Sequence, residues 1–201
     1  MNKKTLIGRR AFLKQLGCAA GAAVFPAIIP ASALGRGGAI APSERVTMGF
    51  IGVGGQGTGH LLGGAWTYVP GGYTGRKEVQ VLAVCDIQRA RRDSAAQKVN
   101  AHYQEVYGNS FTPCQTYDDF RQVLDRKDID AVLIATPAHW HATMAAMAAE
   151  AGKDIYCEKP SAATIQEALA MRMAVQRHGR VYQGGGLLTG RHGENVFLNC
   201  S

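Results

Sequence analysis

The chain has 201 residues, enough for one domain or one and a half at about 100–200 residues per domain, and enough to bury a real core. Its formal charge of +7, from 22 basic and 15 acidic residues, would ordinarily point to nucleic acid or a membrane surface. The excess is local, because residues 1–33 hold five basic residues and no acid, and without them the balance is 17 basic against 15 acidic. Nucleic acid is therefore not expected as a partner.

Those first residues have the layout of an export signal. Positive charge comes first, then an alanine-rich apolar run over 16–29, then Ala31-Ser32-Ala33 as a small-x-small cleavage pattern. Arg9-Arg10-Ala11-Phe12-Leu13-Lys14 resembles the twin-arginine consensus. Gly17, Gly21 and Pro26 interrupt the apolar run, so it is too weak to be read as a membrane span. The reading is a twin-arginine signal over 1–33, engaging the twin-arginine translocation machinery and placing the protein in the bacterial periplasm or cell envelope. Residues 34–44 read as a linker. Of the five cysteines, none forms a C-x-x-C pair, and Cys85 and Cys157 end apolar runs, where they read as small buried apolar residues. His139 and His141, two apart, do not share a helical face, and no metal site is expected.

Val46–Ile51 reads as an apolar strand that runs into Gly52-Val53-Gly54-Gly55-Gln56-Gly57. This is the G-x-G-x-x-G spacing. Glycine serves the first place for a tight turn, the second for close approach of a pyrophosphate, and the third for packing of helix on strand. A helix starting near Gln56 would supply N–H groups and the positive end of its dipole to phosphates, and Gly63-Gly64 would end it. Residues 66–75 read as an inserted, locally packed surface loop. Val79–Cys85 reads as a buried strand ending in Asp86, an acid placed to accept hydrogen bonds from ribose hydroxyls, and equally placed to start a helix. Arg89, Arg91 and Arg92 follow closely, so NAD is favoured and NADP left open.

Onward, the pattern predicts a polar helix over 88–107, a short edge strand over 111–116 limited by Pro113, and a short helix over 117–125 with Phe120, Val123 and Leu124 on one face. A strand over 130–135 leads to Thr136-Pro137 and a helix over 140–151. A strand at Asp154–Cys157 runs into Glu158-Lys159-Pro160, where the Lys159–Pro160 bond is a candidate cis peptide. A helix over 163–178 and a strand opening at 180–183 complete the series. Alternating apolar strands and helices mean an α/β, doubly wound parallel sheet of about six strands, a Rossmann fold with order 3-2-1-4-5-6 over 45–185. Its carboxyl edge gathers 52–57, Asp86, 136–141 and 158–160.

Together, Gly52-Val-Gly-Gly-Gln-Gly57, Cys85-Asp86, Thr136-Pro137-Ala-His-Trp-His141 and Cys157-Glu158-Lys159-Pro160 resemble the Gfo/Idh/MocA family of NAD(P)-dependent oxidoreductases, over roughly 45–183, and most closely its exported members acting on sugars, polyols and related hydroxyl compounds. The resemblance implies cofactor contacts from Gly52, Gly54, Gly55, Gln56, Gly57, Asp86, Thr136, Pro137, His141, Glu158, Lys159 and Pro160. It also implies Lys159 as the catalytic residue near the nicotinamide ribose and the reacting carbinol. A lysine there, partly desolvated, can take or stabilise the hydroxyl proton as hydride leaves. Glu158 can orient it. A glycosidase branch that uses NAD is related, and the Glu-Lys-Pro triplet speaks against it; a dinucleotide-binding module without catalysis is the other alternative.

A member of that family would continue through Gln-x-Gly into an α+β substrate domain on a large antiparallel sheet. Gln183-x-Gly185 fits, but 186–201 shows no helical or strand period. The expectation is a non-native tail after a frameshift or premature stop, with a real short variant as the alternative. The substrate domain would then be absent, turnover impaired, and the oligomer that such a sheet mediates not formed.

Overall fold

The structure, a computed structural model, describes residues 41–64, 69–109 and 111–185. The signal expected over 1–33, most of the expected linker and the expected tail lie outside the described residues. At its described end the linker segment is ordered as a turn, Pro42–Glu44, with Ala41 buried.

Six parallel strands form one sheet in the order β3-β2-β1-β4-β5-β6. They are β1 (Val46–Ile51), β2 (Val79–Cys85), β3 (Gln115–Tyr117), β4 (Ala131–Ile134), β5 (Asp154–Cys157) and β6 (Tyr182–Gly184). Five helices connect them: α1 (Gly55–Leu62), α2 (Arg89–Tyr107), α3 (Phe120–Leu124), α4 (Ala138–Glu150) and α5 (Ile165–Arg177). Apart from Thr47 and Gln80 near their starts, the central strands β1, β2 and β4 carry no polar side chain, because both of their faces are covered. Met48, Phe50, Val81 and Leu133 pack with Leu61, Val99 and Tyr103 of α1 and α2. Ile51, Val132, Ile134 and Ile155 pack on the other face with Val123, Ala145, Met171 and Val175 of α3, α4 and α5.

Element ends follow local chemistry. Proline has no N–H for a ladder, and β3 begins only after Pro113, at Gln115. Ahead of it, the Cys114 N–H donates to Asn100 Oδ1 at 2.7 Å, and Asn100 Nδ2 donates to the Cys114 carbonyl at 3.2 Å. The side chain of α2 thus replaces a strand partner. Helix α5 starts at Ile165 because Thr164 and Glu167 form a reciprocal capping box. The loop after α1 packs back on the protein, with Tyr73 edge-on to Phe50 at 5.9 Å; its residues 65–68 lie outside the described set. Cys85, Cys114 and Cys157 are buried free thiols, and burial first of all pushes each up to about 12. All three are therefore poor nucleophiles.

Candidate functional site

The strand ends β1, β2, β4 and β5 open on one edge, and the chain leaves β1 through Gly52 at φ +88°. A Cβ there would meet the Ala135 carbonyl oxygen at 2.6 Å, so both the left-handed turn and the contact with the exit of β4 require glycine. Gly57 is the second obligatory position. A methyl on it would overlap the carbonyl oxygen of Gly52, which is the close packing of helix on strand that the motif predicts. Gly54 serves a different purpose. Among the described residues only the Arg91 guanidinium comes near its missing Cβ, at 3.3 Å, and none lies within 4 Å of that at Gly55. Gly54 is the N-cap of helix α1 and supplies no side-chain cap, so the first N–H groups of the helix are left without a capping side chain at this bare turn.

Asp86 holds the turn in place. Its Oδ2 accepts the Val53 N–H at 3.0 Å and its Oδ1 the Gln88 N–H at 2.9 Å. It therefore combines the helix-start role with a place beside the glycine turn. Of the three nearby arginines, Arg89 pairs with Asp93 at 3.3 Å, and Arg92 donates to the Asp86 carbonyl at 3.1 Å. Arg91 stays exposed above Gly54.

Gly52, Gly54, Asp86, Thr136 and Pro137 line one groove of about 680 Å³ along the carboxyl edge, a size typical of small-molecule and cofactor sites. Sequence reasoning missed two of its walls. Ile87 is 86% exposed and Trp140 43% exposed, and both line the groove. Large apolar side chains left open beside a polar turn suit a ligand with a flat apolar ring.

Other expected residues sit behind the groove. His141 is 1% exposed. Its Nδ1 lies 2.7 Å from the Pro160 carbonyl and its Nε2 2.7 Å from the Thr136 carbonyl. The ring latches the 136–137 and 158–160 segments together and offers no nitrogen to the groove. Gln56 turns its amide away from the turn, onto Glu158 Oε1 at 3.2 Å. Lys159 differs most from expectation. It is exposed rather than partly desolvated, and its ammonium makes no hydrogen bond or ion pair with the described residues, because it projects from the end of β5 where none of them covers it. Pro160 is exposed and follows a cis peptide bond.

Sequence reasoning also missed the pair that Glu158 forms with His60, 98 positions away. His60 Nε2 stands 2.6 Å from Glu158 Oε1, with both residues buried. A usable signal was present in the spacing of Gly57, His60 and Leu61, which puts the histidine on the buried face of α1. Burial tends to raise the Glu158 carboxyl, but hydrogen bonds from His60, the Lys159 N–H and Gln56 outweigh it and hold it below its ordinary value of 4.5. A depressed carboxyl stabilises the fold above its unfolded-state value, and that contribution is lost as pH falls through the folded value. The urea midpoint should accordingly drop more steeply between about pH 5 and pH 3 in the unsubstituted chain than in Glu158→Gln. Parallel pH profiles for the two proteins would contradict this.

Comparison with known proteins gives a consistent result. The Gfo/Idh/MocA family model, described as an oxidoreductase family with an NAD-binding Rossmann fold, matches residues 46–185. Glycosyl hydrolase family 109 protein 1 of Shewanella sp. (strain ANA-3) is 34% identical over 177 residues, covering 80% of this chain and 35% of that protein. The alpha-N-acetylgalactosaminidase of Shewanella oneidensis is 33% identical over the same length and shares. Among solved structures, an NAD-binding protein from Listeria innocua superimposes with a TM-score of 0.55 at 28% identity, over 70% of this chain and 35% of that one. The chain thus spans about a third of the length of the curated relatives it matches.

Proposed function

The chain belongs to the Gfo/Idh/MocA family of NAD-binding oxidoreductases, and on that premise we propose that it serves hydride transfer between NAD and a hydroxyl group of a sugar or polyol. The observation that carries this reading is the convergence of a bare glycine turn, an uncapped helix start, Asp86 and Thr136-Pro137 on one groove. Gly54 and Gly55 leave room where any side chain would fill the approach to α1, which is what a pyrophosphate needs. The Asp86 carboxylate retains lone pairs for ribose hydroxyls beside its two backbone partners. Ile87 offers an apolar surface to the adenine. Thr136 and Pro137, fixed by His141, border the nicotinamide half.

Bound NAD supplies the hydride acceptor. Lys159 would stand by the carbinol hydroxyl and hold its oxygen while the O–H proton passes to solvent and the C–H hydride to NAD, so that a secondary alcohol would become a ketone. Titration of the purified chain with NADH, followed by nicotinamide fluorescence, tests the foundation of this reading. The expected result is a saturable signal, and a flat response to both NADH and NADPH would sink it.

A second reading has its own support, since curated relatives at 33–34% identity bear glycosidase names. In it, the same hydride step oxidises a sugar transiently, and the cofactor is restored within the cycle. The two readings separate in one assay. Net NADH absorbance with a free sugar or polyol marks the dehydrogenase, whereas aglycone release from a nitrophenyl N-acetylgalactosaminide without net NADH marks the glycosidase.

A further inference from the structure

Glu158 is 8% exposed, and a buried carboxylate persists only where donors replace its water. Its donors come from two elements that no local sequence pattern joins. His60 sits in the last turn of α1, 2.6 Å from Oε1, and Gln56 in the first turn of the same helix, 3.2 Å from the same oxygen. The Lys159 main-chain N–H donates to Oε2 at 3.0 Å. The ring of His60 is itself held, edge-on to Tyr156 at 5.3 Å. Behind the carboxylate there is no spare room, since a Cβ on Gly185 would stand 3.1 Å from it. The carboxylate therefore cannot shift if His60 keeps its place. The Lys159 side chain has no anchor of its own among the described residues, so its position is set by its backbone alone.

We propose that His60 is a positioning residue of the cofactor site, acting through Glu158 to fix the Lys159–Pro160 segment, which His141 ties to the Thr136–Pro137 wall of the groove. The inference rests on the cofactor reading above. His60 does not line the groove and lies in the last turn of α1, at the far end from the glycine turn. Its loss should therefore loosen the nicotinamide end and spare the pyrophosphate end. A histidine that merely filled the core would loosen both or neither.

The test compares NADH with ADP-ribose, which lacks the nicotinamide, on the 201-residue chain. His60→Leu is expected to raise the NADH dissociation constant about tenfold, while that of ADP-ribose stays within about twofold. His60→Gln, which can present an N–H near the Nε2 position, is expected to recover most of the loss. Glu158→Gln should show the same split, and the double variant His60→Leu/Glu158→Gln should be no worse than either single one, as for two residues acting as a unit. Equal weakening of both ligands, unchanged NADH affinity in folded His60→Leu, or additive losses in the double variant would each overturn the proposal. If His60→Leu does not fold, Glu158→Gln and His60→Gln decide: a split in the first and near-normal affinity in the second support it, and any other pattern overturns it. An unsubstituted chain that binds neither ligand would refute the cofactor reading itself, before any variant is made, and this inference with it.

Discussion

A Gly57→Ala chain is expected to lose about 3 kcal/mol of stability through overpacking and most of its affinity for NADH. The sign is informative because local propensity argues the other way. Alanine inside a helix is favoured over glycine by about 1 kcal/mol, and nothing in the sequence of α1 forbids it. The obstacle is tertiary. The Gly52 carbonyl oxygen occupies the place of the new methyl, and that oxygen cannot retreat. Its residue is fixed by the Gly52 N–H to Cys85 carbonyl bond at 2.8 Å and by the contact of Gly52 with Ala135. The helix must move outward instead, carrying its N-terminal N–H groups away from where phosphates would sit. Urea unfolding with an unchanged m-value, alongside NADH titration, measures both effects. A midpoint at or above that of the unsubstituted chain would show that helix and strand are not packed this tightly.

Asp86→Asn should be nearly as damaging, although it alters one functional group. The two carboxylate oxygens each accept a backbone N–H, from Val53 and from Gln88. An asparagine can satisfy one of them and turns its own NH2 toward the other. A buried unsatisfied donor costs about 1–3 kcal/mol, and here the loss falls on the glycine turn itself. The NADH dissociation constant should rise at least tenfold, on the order of 1.4 kcal/mol or more. NADPH should lose less, since removing the charge also removes repulsion of a 2′-phosphate beside Arg91. Equal affinity for NADH in the two proteins would remove Asp86 from the site.

The strands were legible because a doubly covered sheet demands mostly apolar runs, and the runs expected to end at Ile51, Cys85, Ala135 and Cys157 are strands in the structure, the third closing one residue early at Ile134. The glycine turn was legible because three glycines at fixed spacing satisfy three separate steric demands, two of which are visible as contacts at Gly52 and Gly57. Boundaries were less so. The residues around Pro113 and Cys114 read as strand by composition, yet they are held by Asn100 of a helix. At the site, Thr136 and Pro137 line the groove as the pattern implied, but His141 is spent on two carbonyls and Lys159 lies open.

What the sequence determined by itself is the order of strands and helices, the edge on which the ligand-binding features fall, and the family. The first two follow from periodicity and spacing, which are properties of neighbours along the chain, and the family from the resemblance of its motifs. What only the tertiary structure decided is how those features are held: Asp86 as the acceptor for the glycine turn, His141 as a latch between two loops, and His60 as the buried partner of Glu158. Each of these depends on a contact between residues 19 to 98 positions apart. Such contacts are set by the burial of both faces of the sheet, and no local pattern of residue types encodes which polar groups that burial brings face to face.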